Sequence, residues 1–124
     1  MSRDRTRLVL VAGARPNFMK IAPMVRAICE RPDAFDWKLV HTGQHYDQEM
    51  SGVFFEELGI PKPHFFLECG GGSHAVQTAK IMTAFESVCD CEKPQMVIVV
   101  GDVNSTMACS IVAKKLQIEV AHIE

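Results

Sequence analysis

Met96-Val97-Ile98-Val99-Val100-Gly101-Asp102-Val103-Asn104-Ser105-Thr106 is the stretch that decides the fold. Its first five residues form the most hydrophobic run in the chain, uninterrupted by any polar side chain. A strand with one wet face alternates; an unbroken β-branched run is the mark of a strand buried on both faces, as in a parallel sheet covered by helices. Gly101-Asp102 ends the strand, and apolar residues then recur at helical spacing from about Ser105 to Leu116.

The same unit repeats in both directions. Leu8-Val9-Leu10-Val11-Ala12 is a second buried strand, closed by Gly13. Pro16 follows where a helix has its first turn, and Phe18, Ile21, Ala22, Val25, Ile28 and Cys29 keep a helical period to Arg31-Pro32. Pro23 lies inside this helix and is expected to kink it. Trp37 to His41 gives another strand, and Asp47 to Leu58 a helix closed by Gly59. His64 to Leu67 reads as a short strand, His74 to Cys91 as a long helix, and Glu119 to Ile123 as the last strand. Strands alternating with helices, joined by right-handed crossovers, predict an α/β, doubly wound parallel sheet of Rossmann-like type in the order 3-2-1-4-5.

Composition fits that class and narrows the function. The 124 residues are 48% hydrophobic and 23% charged, the balance of a globular domain. Thirteen Lys and Arg against fifteen Asp and Glu leave a net charge of −2, with no cationic surplus for nucleic acid or an anionic membrane. The five cysteines show no Cys-x-x-Cys spacing, so neither a zinc site nor a redox pair is expected, and a cytoplasmic setting with reduced thiols is. The run behind the polar start is too short for a signal sequence or a membrane span.

In doubly wound sheets ligands bind beyond the carboxyl ends of the strands, so the residues after each strand carry the functional question. The first turn, Gly13 to Lys20, has neither the glycine spacing of a dinucleotide site nor the Gly-Lys-Ser/Thr of a P-loop, and no cofactor is expected. It offers Arg15 at a helix mouth, as an anion fork or as a solvated arginine, with Lys20 a turn further on. The second turn, His41-Thr42-Gly43-Gln44-His45-Tyr46-Asp47, gathers proton carriers and hydrogen-bond donors, with Asp47 as a candidate helix cap. Gly70-Gly71-Gly72-Ser73 is a phosphate-cradling loop or a mobile connector, with Ser73 a candidate cap and Gln77 a turn inside the helix that follows. Asp102, directly after the central strand, is held rigidly enough for a general acid or base; alternatively, Asp102 or Asn104 caps the helix that follows. Glu124 ends the neighbouring strand, so two carboxylates are expected to line one crevice.

Gly13-Ala14-Arg15-Pro16 with Lys20, then Thr42-Gly43-Gln44-His45, then Gly101-Asp102-Val103-Asn104-Ser105-Thr106, then His122-Ile123-Glu124, resembles in order and spacing the non-hydrolysing UDP-N-acetylglucosamine 2-epimerases. The resemblance runs from about Arg7 onward. Ala14 stands where that family often has threonine, and Asn17 where it often has an acidic residue. The resemblance implies a two-domain GT-B enzyme, of which residues 1–124 would be a partial N-terminal Rossmann-like domain, without the C-terminal nucleotide-binding domain. On its own such a piece is expected to be inactive and poorly soluble. The implied reaction, in cell-surface polysaccharide biosynthesis, eliminates UDP to 2-acetamidoglucal, then returns UDP with reprotonation of C2 on the opposite face. By the same analogy Asp102 and Glu124 match acid/base positions, Arg15 and Lys20 match substrate-binding positions, and Gln44 and His45 match substrate-binding residues near the substrate or at a second, regulatory substrate site. The expected partner is a UDP-sugar, and the full-length protein is expected to be a homodimer. A hydrolysing relative releasing UDP and N-acetylmannosamine, or a non-catalytic nucleotide-sugar-binding fragment, would share these motifs.

Overall fold

The structure, a computed structural model, describes residues 5–44 and 52–124. Five strands, β1 (Thr6–Ala12), β2 (Phe35–His41), β3 (Phe65–Phe66), β4 (Met96–Val100) and β5 (Glu119–Ile123), form one sheet in the order β3-β2-β1-β4-β5. Every pairing is parallel. The helices are α1 (Arg15–Cys29), α2 (Gly52–Leu58), α3 (His74–Glu92) and α4 (Asn104–Lys115). Order, direction and number of strands match the expectation from the sequence, and β4 and β5 have the expected bounds.

The continuous apolar runs are explained by two cores. From β1, Leu8, Leu10 and Ala12 point into a cluster with Phe18, Ile21 and Val25 of α1 and Phe54 and Phe55 of α2. Val9 and Val11 point the other way, into Ile81, Phe85 and Val88 of α3 and Ala108, Cys109 and Val112 of α4. β4 divides identically, Ile98 and Val100 against Val97 and Val99. Phe18, Ile21, Phe85 and Leu10 are wholly buried, and each such side chain contributes about 1.5 to 3 kcal/mol of transfer free energy.

Several elements differ from the sequence reading in extent or continuity. β1 and β2 start two residues earlier, because the ladder continues through polar residues, Thr6 opposite Phe35 and Arg7 opposite Asp36. α1 runs unbroken through Pro23, which occupies an exposed position on the helix. For α2 the described part begins at Gly52; the expected start at Asp47, with its candidate cap, lies outside the described residues.

α1 packs on one face of the sheet and α4 on the other, and the strands they leave, β1 and β4, are neighbours. The carboxyl ends of β1 and β4 are therefore the point where the winding reverses, the place at which sheets of this kind bind their ligands.

Candidate active site

Close backbone approach brings the turns together. A Cβ on Gly13 would run into the Ser105 hydroxyl and would lie 2.9 Å from Thr42 Oγ1, so only glycine lets the exits of β1, β2 and β4 converge. In the space it leaves, Thr42 Oγ1 and Ser105 Oγ meet at 2.7 Å. Asn17, buried within the first turn of α1, accepts from the backbone N–H of Gly13 (3.2 Å) and of Ala14 (3.1 Å). Its amide nitrogen also packs against Gly101, where an added Cβ would approach it to 3.0 Å. One side chain thus fixes the first turn and abuts the fourth strand's exit.

The helix after β4 is not capped by its own sequence. Its N-cap is Val103, which has no side-chain acceptor, and neither Asp102 nor Asn104 takes that role. The acceptor comes from Gln44, whose Oε1 receives Ser105 N–H at 2.8 Å and Ser105 O–H at 2.6 Å. Asn104 instead donates to Gln77 Oε1 at 2.9 Å and lies 3.0 Å from His74 Nδ1, and Gln77 Nε2 donates to the Gln44 carbonyl at 3.3 Å. Ser73 caps α3, as the sequence reading allowed, by accepting from Val76 N.

Freed from capping, Asp102 lines a cleft of about 310 Å³ together with Lys20, Gly101, His122 and Glu124. Three expected site residues, Lys20, Asp102 and Glu124, converge there from α1, the β4 exit and the β5 exit. The walls carry one ammonium, two carboxylates and an imidazole, all solvent-accessible. That set can bind an anion and exchange protons with a ligand. His122 has no signal of its own in the sequence beyond its place in His122-Ile123-Glu124. A larger groove, about 580 Å³, runs between Leu67-Glu68-Cys69 and α3, but it is mostly apolar and contains none of the expected site residues.

The other candidates lie apart from this cleft wall. Arg15 is exposed at the first position of α1, with its guanidinium 5.2 Å from the Phe54 ring centroid. Gln44 is buried and committed to α4. His45 lies outside the described residues. His41 is a core histidine: its ring meets Phe18 and Phe66 edge-on at 4.9 and 5.0 Å, and its Nδ1 accepts from Gly43 N at 3.0 Å. Burial pushes its pKa down to about 4, so it sits neutral at pH 7. Among the described residues no three His, Cys, Asp or Glu side chains are grouped to hold a metal ion, and no helix is long and apolar enough to cross a membrane. Cys69, Cys89 and Cys109 are buried thiols, with Cys89 raised to about 11 by burial and by Asp90 and Glu86, which disfavours the reactive thiolate.

Comparison with known proteins assigns the chain to a family. The model of the UDP-N-acetylglucosamine 2-epimerase family matches residues 27–124. The chain belongs to that family. It is 43% identical over 118 residues to the UDP-N-acetylglucosamine 2-epimerase of Methanocaldococcus jannaschii, a match covering 95% of this chain and 32% of the relative. It is 44% identical, over 95% of this chain and 33% of the relative, to the UDP-2,3-diacetamido-2,3-dideoxy-D-glucuronate 2-epimerase of Pseudomonas aeruginosa. The crystal structure of the M. jannaschii UDP-GlcNAc 2-epimerase in complex with UDP-GlcNAc and UDP superposes with a TM-score of 0.89 at 42% identity, covering 96% of this chain and 32% of that one. The chain spans about a third of the length of these 2-epimerases.

Proposed function

We propose that this chain is part of the N-terminal domain of a two-domain, GT-B-type epimerase that converts UDP-N-acetylglucosamine to UDP-N-acetylmannosamine by eliminating and returning UDP. The observation that carries the reading is the cleft at the ends of β4 and β5, where Asp102 and Glu124 face one space beside Lys20. Inverting C2 requires a proton to leave one face of the sugar carbon and another to arrive on the opposite face. Two carboxylates on rigid, adjacent strand ends suit that exchange, one as base and the other as acid. Lys20 supplies a cation for the departing diphosphate, and Arg15 at the mouth of α1 a planar fork for the same anion. Relatives acting on two different UDP-2-acetamido sugars match this chain equally well, which supports C2 as the reacting position common to them.

The experiment is product analysis of the full-length protein given UDP-N-acetylglucosamine. An equilibrium mixture of two UDP-sugars, with no free UDP accumulating, is the expected result. Accumulation of free UDP and N-acetylmannosamine would assign the protein to the hydrolysing branch. Saturable binding without turnover would make it a nucleotide-sugar-binding protein.

A further inference from the structure

We propose that His122 is a positioning residue for the acid/base pair, acting by holding the Gly101–Asp102 peptide against β5; this rests on the reading of Asp102 and Glu124 given above. Gly101 has only two polar groups, and β5 takes both. Its N–H donates to the Ile123 carbonyl at 2.9 Å, and its carbonyl lies 2.7 Å from His122 Nε2. A carbonyl only accepts, so the imidazole nitrogen facing it carries the hydrogen.

The strut is needed because of the backbone it holds. Gly101 has φ +76°, a left-handed conformation that glycine enters and leaves easily. The plane that its carbonyl shares with the Asp102 N–H would otherwise be free to rotate at the rim of an open cleft, and Asp102 would move with it. Gly101 is thus held by β5 through backbone and through His122, and Asn17 of α1 stands on its third side, where an added Cβ would come to 3.0 Å from the amide nitrogen. His122 and Glu124 are two residues apart on one strand exit and therefore on the same face. The segment that presents the second carboxylate thereby also fixes the first. His122 spends its Nε2 hydrogen on the Gly101 carbonyl, and the contribution proposed for it is geometry.

The test is steady-state kinetics of the full-length epimerase carrying His122→Leu, His122→Asn, His122→Gln, Asp102→Asn, or His122→Leu with Asp102→Asn. His122 is exposed, so these variants are expected to fold, and a melting curve for each verifies it. Misplacing Asp102 should lower kcat by about 10- to 100-fold in His122→Leu and His122→Asn, with KM nearly unchanged. Glutamine, whose terminal nitrogen reaches the place of Nε2, should restore most of the loss. The double variant should be no slower than Asp102→Asn alone, because a residue acting only through Asp102 has nothing left to position. Wild-type kcat in His122→Leu beside a crippled Asp102→Asn would overturn this inference and leave the acid/base reading standing. A double variant slower by the full product of the single losses would overturn it too. So would a glutamine variant as slow as leucine with one limb of the kcat pH profile gone, since His122 would then carry the proton itself. Wild-type kcat in Asp102→Asn would overturn the acid/base reading and this inference with it.

Discussion

Gln44 Oε1 accepts both the backbone N–H and the hydroxyl of Ser105, so a side chain from the exit of β2 caps a helix 61 residues further along the chain. The amide oxygen can only accept, which fixes the direction of the remaining bonds. Ser105 O–H points to Gln44, Thr42 O–H points to Ser105, and Gln44 N–H points to Thr42 Oγ1 at 3.2 Å. The three residues close a ring of hydrogen bonds in a buried place, tying the loop that carries Gln44 to the loop that carries Asp102.

Replacing Gln44 by leucine removes that acceptor while leaving Ser105 N–H and O–H buried. The expected loss is about 1 to 3 kcal/mol of stability, read as a lower midpoint in urea unfolding of the full-length protein with an unchanged slope. Glutamate keeps an acceptor at the same reach and should lose less than leucine. Equal midpoints for wild type and Gln44→Leu would show that α4 does not depend on this cap.

Gly13→Ala puts a methyl group against the Ser105 hydroxyl and 2.9 Å from Thr42 Oγ1. Overpacking of this kind costs about 1 to 3 kcal/mol, and here it also pries the ring of hydrogen bonds open. A melting temperature within error of wild type would mean that the two hydroxyls have room to retreat.

His41 sets a pH dependence. Its folded pKa of about 4 lies below the ordinary 6.5, so between those values the unfolded chain binds a proton that the folded chain refuses. Its contribution is therefore fully present above pH 6.5 and is lost as pH falls toward 4, by an amount on the order of 3 kcal/mol. His64 shifts the same way, through burial first and Lys38 second, with Glu92 opposing. His41→Asn keeps an acceptor for Gly43 N–H but does not titrate. Melting temperature should fall less steeply from pH 7 to pH 4.5 in that variant than in wild type, and parallel profiles would contradict a neutral, buried His41.

What the sequence shows clearly is whatever repeats locally. The unbroken runs at Leu8–Ala12 and Met96–Val100 predict buried parallel strands because both of their faces meet helices, and the strand order follows from crossover handedness. That Asp102 and Glu124 line one cleft is legible because both follow directly on neighbouring strands, and strand ends are where such sheets bind ligands. The cap from Gln44, the grip of Asn17 on Gly13 and Ala14, and the bond from His122 to Gly101 are not legible. Each is a single side chain meeting one backbone group or one distant residue, and leaves no periodicity behind. Asp102 shows the consequence most sharply: its position after a strand suits a helix cap as well as an acid or base, and the structure removes the first role, with Val103 at the N-cap and Gln44 accepting from Ser105.

Proton movement at C2 by Asp102 and Glu124 is read by running the full-length protein in heavy water and measuring deuterium at C2 of the product. Elimination and return of UDP require the arriving proton to come from a group in exchange with solvent, so the product should carry one deuterium at C2. Asp102→Asn and Glu124→Gln should slow its appearance by roughly 10²- to 10⁴-fold. Product formed at full rate with no solvent deuterium at C2 would rule out elimination and return of UDP, and with it proton transfer by these two carboxylates.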